Sequence, residues 1–346
     1  MSYGQPFWRI AQPQFSSQSA KEDLSQFLDT IVLVFNICVD RNVQLQLEEG
    51  KDRTKEQVSC DLKEFCMAEI FNNSRVYKYN LSRQIERLDF NNVVTQWGYM
   101  YVYMCRHIHL VYHVMSTALR QNRITVHSKM QTSICAIGAG PGSDVLGLLM
   151  FFREAGIRFP FSEINLLDRC VAWNDSWRSL IEKLPKDISG ALGECNYHHF
   201  DFFNDELTDN LRRVINKATF VTFVKSVSPV SAWLRGKQFH YQHRNGQPPR
   251  GHWHSIYSIL QCMQPGAIVL YIDNGSSQNT VHRKILMDSA LLLGFQVLYE
   301  DNLTDFRMPC LFSKTCKEFI KYMNFRPCSV AGQNDTLLLW KPNRTY

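Results

Sequence analysis

The stretch that decides the fold is SICAIGAGPGSD, residues 133–144. A short apolar run leads into a turn with glycine at positions 138, 140 and 142, and an apolar helical pattern follows over residues 145–152. Strand, glycine-rich turn and helix in this order are typical of α/β folds in which a helix N-terminus faces a ligand. Glycine lets the backbone turn sharply and approach a ligand closely. We therefore expect a binding site at this turn.

The rest of the chain after residue 126 alternates short β-rich runs with helical patterns. The predicted strands are residues 133–137, 163–167, 195–200, 219–224, 267–272, 295–300 and 336–340. Such alternation predicts an α/β domain over residues 127–346, in which a mostly parallel sheet carries helices on both faces.

The first part of the chain has a different pattern. Residues 1–20 are rich in Gln and Ser and are expected to form a flexible lead. Residues 21–126 contain almost no Gly or Pro and space their apolar residues by three and four, which predicts a helical N-terminal region. Its longest apolar stretch, residues 93–115, is interrupted by one arginine and three histidines, so we expect a buried helix rather than a membrane span.

Composition narrows the class of protein. The 346 residues are 45% hydrophobic, which favours a globular chain over a disordered one. The eleven cysteines form no CxxC pair, and the polar N-terminus lacks the apolar core of a signal peptide. We therefore expect free thiols in a reducing compartment, so an intracellular protein of the cytoplasm or nucleus.

Carboxylates follow two of the predicted strands. Asp168 ends the second strand and Asp201 follows the third, beside Phe202. Ligands of open α/β sheets bind at the carboxyl ends of the strands, where the glycine turn also lies. A carboxylate after the second strand suits ribose hydroxyls, and Asp201 with Phe202 suits an adenine amino group and ring. The joint order predicts a nucleotide-like cofactor.

Gly138-Ala139-Gly140-Pro141-Gly142, followed by Asp168 and Asp201, resembles the class I S-adenosylmethionine-dependent methyltransferases over about residues 130–342. The resemblance implies a seven-stranded Rossmann-like sheet whose two last strands form an antiparallel pair at its edge. It implies S-adenosyl-L-methionine as the cofactor. By the same resemblance, the glycine turn contacts the methionine part, Asp168 holds the ribose and Asp201 holds the adenine amine.

The chain departs from the pattern of that family at one position, and its glycine turn also resembles that of enzymes with another cofactor. An acid often stands two residues before the first glycine, where this chain has Ala136. The turn is also close to the GxGxxG fingerprint of flavin- and NAD-dependent oxidoreductases, with Ser143 at the third small position. No Asn-Pro-Pro-aromatic motif follows the fourth strand, which argues against methylation of adenine and cytosine amino groups.

Three residues are candidates for catalysis. Lys225 and Ser226 follow the fourth predicted strand, and Asp273 follows the fifth. These strand ends border the methyl group in the proposed fold. Methyl transfer needs a positioned nucleophile and in some cases removal of a proton. Lys225 and Asp273 are the residue types that orient or deprotonate an acceptor.

The segment 232–254 is the candidate for binding the substrate. No acidic residue occurs between Asp209 and Asp273, and this segment interleaves cations with aromatic rings. Cations that pair with phosphates and rings that stack on bases suit single-stranded nucleic acid. The candidate substrate residues are Arg235, Lys237, Tyr241, Arg244, Arg250 and Trp253. Four histidines nearby have no acid or cysteine at zinc-like spacing, so no metal is expected.

The sequence therefore predicts a methyltransferase that acts on RNA, with ribosomal RNA among the possible substrates, and with no membrane association. Three alternatives stay open. One is a small-molecule or protein methyltransferase in which the N-terminal helices form a lid, and another is a module that binds S-adenosylmethionine without turnover. The third is a flavin- or NAD-dependent oxidoreductase. The sequence does not identify a protein partner.

Overall fold

The computed structural model describes residues 17–48, 54, 57, 64–68, 89–126, 132–158, 160–202, 204–227, 254–275, 280–304, 306–308, 312–327 and 330–342. Its helices are α1 (Ser17–Glu48), α2 (Val93–Tyr99), a π-helical segment (Met100–Met104), α3 (Cys105–Arg120), α4 (Ser143–Glu154), α5 (Trp173–Lys183), α6 (Lys186–Ser189), α7 (Asp209–Lys217), α8 (His254–Cys262), α9 (Thr280–Leu292) and α10 (Lys314–Met323). Its strands are β1 (Thr132–Ile137), β2 (Phe161–Asp168), β3 (Glu194–His199), β4 (Phe220–Val224), β5 (Ile268–Asn274), β6 (Gln296–Leu303), β7 (Phe306–Arg307), β8 (Val330–Ala331) and β9 (Asn334–Trp340).

The main sheet has seven strands in the order β3-β2-β1-β4-β5-β9-β6. Strands β1 to β5 are parallel, and β9 runs antiparallel between β5 and β6. The predicted seven-stranded Rossmann-like sheet is therefore confirmed, including the antiparallel late pair. Strands β2 and β3 lie on one side of β1, and the chain then crosses to the other side of β1 to form β4. The carboxyl ends of β1 and β4 therefore form the topological switch point where such sheets bind ligands.

Strand burial follows position in the sheet. All five residues of β4 are buried, as expected for a central parallel strand covered on both faces. The edge strand β3 is only partly buried and carries polar residues. A second sheet pairs β7 with β8, each two residues long. Strands this short leave no alternation in the sequence, so the pair was not predicted.

The N-terminal helices share a core with one face of the sheet. Residues of α1, α3, α4 and β1 belong to one buried apolar cluster, whereas α7, α8 and α9 cover the other face. The contact between α3 and α4 is tight, because a Cβ added at Gly147 would lie 2.6 Å from the Ile108 carbonyl oxygen. Helix α1 begins at Ser17 and continues through Ser19 and Asp23.

No helix in the described ranges is both long enough and apolar enough to cross a membrane.

Candidate active site

The glycine turn connects β1 to α4 with three left-handed residues. The φ angles are 63° at Gly138, 49° at Gly140 and 74° at Gly142. A Cβ at Gly138 would lie 2.5 Å from Ser226 Cβ, and a Cβ at Gly142 would lie 2.5 Å from Trp177 Cζ3. At Gly140 the nearest atom would be Trp173 Cε2, at 4.0 Å. Packing thus requires the first and last glycines, whereas Gly140 borders open space.

Helix α4 begins directly after this turn. Gly142 is its N-cap and supplies no side-chain acceptor for the first-turn amides. Pro141 is buried between the two glycines. The N–H groups of Gly138 and Ala139 donate to the Leu167 carbonyl oxygen at 2.8 and 3.1 Å, which fixes the turn to the end of β2. The helix N-terminus therefore faces the switch point with amide groups, a geometry that favours anionic ligand groups.

Asp168 lies against the turn at the end of β2. Its Oδ2 accepts a 2.9 Å hydrogen bond from the Gly140 N–H, and its Oδ1 accepts one of 2.9 Å from the Cys170 N–H. Burial raises the pKa of Asp168, while these two N–H groups act in the opposite direction. The Tyr197 hydroxyl of β3 donates to the Gly140 carbonyl oxygen at 3.2 Å. Both backbone groups of Gly140 are thus held by the neighbouring strands.

Asp201 and Phe202 follow β3 at the same edge of the sheet. The Asn204 side chain donates to Asp201 Oδ2 at 2.7 Å, and the Asp201 N–H donates to Asp205 Oδ2 at 2.8 Å. Phe202 is buried and packs edge-on against Phe223 of β4, with ring centroids 6.3 Å apart. The structure therefore places Asp168 and Asp201 at adjacent strand ends, with the Phe202 ring packed into the core beside them.

Lys225 is a buried amine at the end of β4. Its φ is +56°, and its Nζ donates to Asn274 Oδ1 at 2.7 Å and to Asn334 Oδ1. Burial is the main cause that lowers the pKa of Lys225 to about 7; the charge of Arg106 acts in the same direction, whereas Asp273 and Asp335 act in the opposite one. A neutral amine has two N–H donors and one lone pair, so the two amide oxygens can occupy both donors and leave the lone pair.

Asp273 and Ser226 have different surroundings from Lys225. Asp273 Oδ2 accepts a 2.9 Å hydrogen bond from the Val227 N–H, and its Oδ1 accepts one of 2.7 Å from the Asn274 N–H. The Asp273 carboxyl group therefore holds the backbone at the ends of β4 and β5 by hydrogen bonds. The buried Ser226 hydroxyl, beside Gly138, has no hydrogen-bond partner among the described residues. Such a hydroxyl is suited to a ligand group at the turn.

A buried carboxyl group at the start of α4 is linked to β1 through a threonine of β4. Ala136 of β1 pairs with Thr222 of β4. The Thr222 hydroxyl is hydrogen-bonded to Asp144 Oδ2, in the first turn of α4. Burial raises the pKa of Asp144 to about 6. The sequence interpretation missed this carboxyl group because the residues of α4 were considered only for their apolar pattern.

Aromatic side chains from the N-terminal region contact Trp173, which lies beside the glycine turn. Trp173 of α5 lies beside Gly140 and is in ring contact with Phe90 at 5.0 Å and Tyr99 at 5.8 Å. The Cys170 thiol donates to the Phe90 carbonyl oxygen at 3.2 Å. These contacts join residues 90–99 to the segment after β2. The sequence interpretation did not identify Phe90 or Tyr99.

The candidate substrate residues are outside the described part of the chain. They are Arg235, Lys237, Tyr241, Arg244, Arg250 and Trp253. The RNA-binding role of this segment therefore remains a prediction.

Comparison with known proteins adds the following findings. No protein-family model matches the chain, and no curated protein matches it. Among solved structures, a putative class I S-adenosylmethionine-dependent methyltransferase from Listeria monocytogenes is similar over 95% of this chain and 90% of its own, with 10% identity and a TM-score of 0.39. Precorrin-6y C5,15-methyltransferase from Geobacter metallireducens is similar over 66% of this chain and 87% of its own, with 12% identity and a TM-score of 0.37.

A third similar structure is the glycopeptide N-methyltransferase MtfA, in complex with S-adenosylmethionine. It covers 67% of this chain and 94% of its own, with 10% identity and a TM-score of 0.35. Likeness at this level carries no weight for function, so the functional argument rests on the geometry of the site.

Proposed function

We propose that the chain is a methyltransferase that uses S-adenosyl-L-methionine. The observation that carries the proposal is the 2.9 Å contact between the Gly140 N–H and Asp168 Oδ2, because it brings the glycine turn and the acid after β2 into one cleft. Two further features fit the cofactor. Open space borders Gly140, and the buried Ser226 hydroxyl lies beside Gly138 with no partner among the residues described.

Each part of the cofactor has a candidate binding group. The backbone of residues 138–142 and the start of α4 would hold the methionine part, Asp168 the ribose hydroxyls, and Asp201 the adenine amine. Bound S-adenosylmethionine supplies an electrophilic methyl group. At the adjacent strand end, Lys225 Nζ is held by Asn274 and Asn334 and is suited to accept a proton from the acceptor.

The strand order favours a methyltransferase over a flavin- or NAD-dependent oxidoreductase. The common dinucleotide-binding sheet has the order 3-2-1-4-5-6. Here the antiparallel strand β9 is inserted between β5 and β6. The test for the cofactor is competition binding, in which S-adenosylmethionine and its demethylated product are expected to bind. Binding of NAD or a flavin without them would contradict the proposal.

A second candidate, methylation of RNA, is favoured by the composition of residues 232–254. This acid-free segment carries arginines and lysines among aromatic residues. Neutralisation of phosphates makes such binding weaken as salt rises. If RNA is the acceptor, replacing Arg235, Lys237 and Arg244 together by Gln should lower RNA affinity and flatten its salt dependence, while cofactor affinity stays unchanged.

The activity itself is tested by transfer of radiolabel. The purified full chain is incubated with methyl-labelled S-adenosylmethionine and an extract of cells that lack the protein. Incorporation of label that Lys225→Met abolishes would support the proposed reaction. RNase-sensitive label would assign RNA as the acceptor. Cofactor binding without label in any fraction would instead indicate a binding module without turnover.

A further inference from the structure

Two asparagines from neighbouring strands meet the amine of Lys225. Asn274 ends β5 and Asn334 begins β9, and the two residues are paired in the antiparallel register of these strands. Asn274 Oδ1 lies 2.7 Å from Lys225 Nζ, and Asn334 Oδ1 accepts a second hydrogen bond from the same nitrogen. The register therefore brings two amide oxygens to one amine from parts of the chain that are far apart in sequence.

The orientation of the Asn334 carboxamide is fixed by its other end. Its Nδ2 donates to the Gly332 carbonyl oxygen at 2.6 Å, which turns Oδ1 towards the amine. Asn334 is buried, whereas Asn274 is exposed at the end of its strand. The amine of Lys225 thus lies directly beneath the surface of the strand ends, with one buried acceptor and one acceptor that borders solvent.

The backbone at Lys225 joins this cluster to the glycine turn. The Lys225 N–H donates to the Ile272 carbonyl oxygen at 2.8 Å, so β4 stays paired with β5 as far as this residue. Its left-handed φ of +56° is unfavourable for a residue with a side chain, and such strain clusters at active sites. The next residue, Ser226, packs against Gly138, because a Cβ at that glycine would lie 3.6 Å from Ser226 Cα. The lysine is therefore one residue away from the turn that we propose to hold the cofactor.

The acceptors of the Lys225 amine are neutral amides rather than carboxylates. No ion pair joins Lys225 to another residue in the described ranges. Burial and the charge of Arg106 lower its pKa, Asp273 and Asp335 raise it, and His107 is the imidazole on which the charge of Lys225 acts in turn. Burial is the largest of these effects, so the pKa is about 7 and the neutral amine is well populated at neutral pH.

The two hydrogen bonds fix the direction of the remaining position on the nitrogen. The tetrahedral Nζ uses one position for its own Cε and two for the N–H groups on the asparagine oxygens. The last position holds a lone pair in the neutral amine and a third N–H in the ammonium. Because the other three positions are occupied, the lone pair cannot turn away without breaking a hydrogen bond.

We propose that Asn274 and Asn334 are positioning residues, which aim the lone pair of Lys225 at the proton of the methyl acceptor. This inference rests on the proposed function. In the reaction, the acceptor atom forms a bond to the methyl carbon as the bond from that carbon to the sulfur breaks. The proton of the acceptor becomes the third N–H of Lys225, whose other two N–H groups stay on the asparagine oxygens. The amine therefore gains its charge without losing either hydrogen bond.

The first test titrates the amine itself and needs no cofactor. In the full chain with isotope-labelled lysine, NMR follows the Lys225 signal against pH, and Lys225→Met identifies that signal by its loss. Asn334→Asp keeps the shape of the side chain and puts a carboxylate at the amine, so it should raise the pKa of Lys225 by at least about one pH unit. Asn302→Asp, at an exposed asparagine of β6, is the control and should leave that pKa unchanged. Equal pKa values in wild type and Asn334→Asp would overturn the proposal.

The second test asks whether the same groups govern transfer. The initial rate of label transfer from S-adenosylmethionine to the extract of cells that lack the protein is measured against pH. In Asn334→Asp the inflection of this rate should move up by as much as the pKa of the amine does. Asn274→Ala, at an exposed strand end, should lower the plateau rate about tenfold or more, because the lone pair is no longer held in its direction. Cofactor affinity should be unchanged in both variants.

The failures of the two proposals are distinguishable. If wild type does not bind S-adenosylmethionine, or binds it and transfers no label, the proposed function is wrong and the positioning role falls with it. If wild type transfers label but the rate inflection of Asn334→Asp stays in place while the pKa of Lys225 rises, only the positioning role is wrong. Transfer by Asn274→Ala at the rate of wild type would also overturn that role.

Discussion

The Gly140 N–H donates a 2.9 Å hydrogen bond to Asp168 Oδ2, and the Cys170 N–H holds the other oxygen of the same carboxyl group at 2.9 Å. The carboxyl plane is thus fixed relative to the glycine turn. A carboxylate has about four acceptor positions, so these two bonds leave room for the hydroxyls of a ribose. This relationship joins two parts of the sequence that are 28 residues apart into one cleft.

The glycine turn allows a matched pair of substitutions. Gly138→Ala should lower the free energy of unfolding by about 2–4 kcal/mol, because it combines a left-handed φ with a Cβ 2.5 Å from Ser226 Cβ. Gly140→Ala should cost only about 1–2 kcal/mol, since only its φ is unfavourable. The methyl group that Gly140→Ala adds would enter the space proposed for the cofactor. We therefore expect Gly140→Ala to fold and to lose cofactor affinity, as measured by urea unfolding and calorimetry. Unchanged affinity would place the cofactor elsewhere.

The rate of methyl transfer should depend on the protonation of Lys225. Burial lowers the pKa of this amine to about 7, so the neutral base predominates above that pH. We expect kcat/KM to rise tenfold per pH unit below about pH 7 and to level off above it. A profile with no inflection near neutrality would contradict this role. Lys225→Met should abolish transfer at every pH while the cofactor still binds.

The Asp144 carboxyl group should make the free energy of unfolding fall as the pH rises from about 4 to 7. Burial raises its pKa from 3.8 to about 6, so the folded chain binds a proton more tightly than the unfolded chain does. This contribution favours the fold below pH 3.8 and is lost as the pH rises through about 6. Asp144→Asn removes it, so relative to wild type the variant should gain stability from pH 4 to pH 7, on the order of 1–3 kcal/mol. Urea unfolding of both proteins at the two pH values measures the difference, and a constant difference would contradict the assignment.

The close packing of α3 against α4 should require the glycine at position 147 of α4. A Cβ at Gly147 would lie 2.6 Å from both the Ile108 carbonyl oxygen and Val111 Cβ of α3. Gly147→Ala should therefore cost about 1–3 kcal/mol in the free energy of unfolding, despite the better helix propensity of alanine. Gly332→Ala, where a Cβ would meet nothing within 4 Å, is the control and should be nearly neutral. A neutral Gly147→Ala would show that the two helices can move apart without cost.

The sequence predicted the main sheet because its signals are local. Most of the seven strands contain a short apolar run, and the glycine turn and Asp168 mark where β1 and β2 end. Their carboxyl ends share one edge of the sheet by the geometry of parallel strands, so the cleft could be inferred without coordinates.

Other features depend on contacts that local patterns do not contain. Asn334 meets Lys225 across 109 residues, and no spacing links the two. The π-helical segment Met100–Met104 was not predicted, because an apolar period of 3.6 residues does not distinguish it from regular helix. The Asp144 carboxyl group comes near Ala136 only because Thr222 of β4 pairs with Ala136 and is hydrogen-bonded to Asp144.

The central claim is that the cleft between the glycine turn and Asp168 binds S-adenosylmethionine. Isothermal titration calorimetry of the full chain with this cofactor tests it most directly, with Asp168→Asn as the variant and Asp175→Asn, at an exposed aspartate of α5, as the control. We predict that wild type and Asp175→Asn bind with equal affinity and that Asp168→Asn binds at least about tenfold more weakly. Equal binding by all three proteins, or no binding by wild type, would contradict the account.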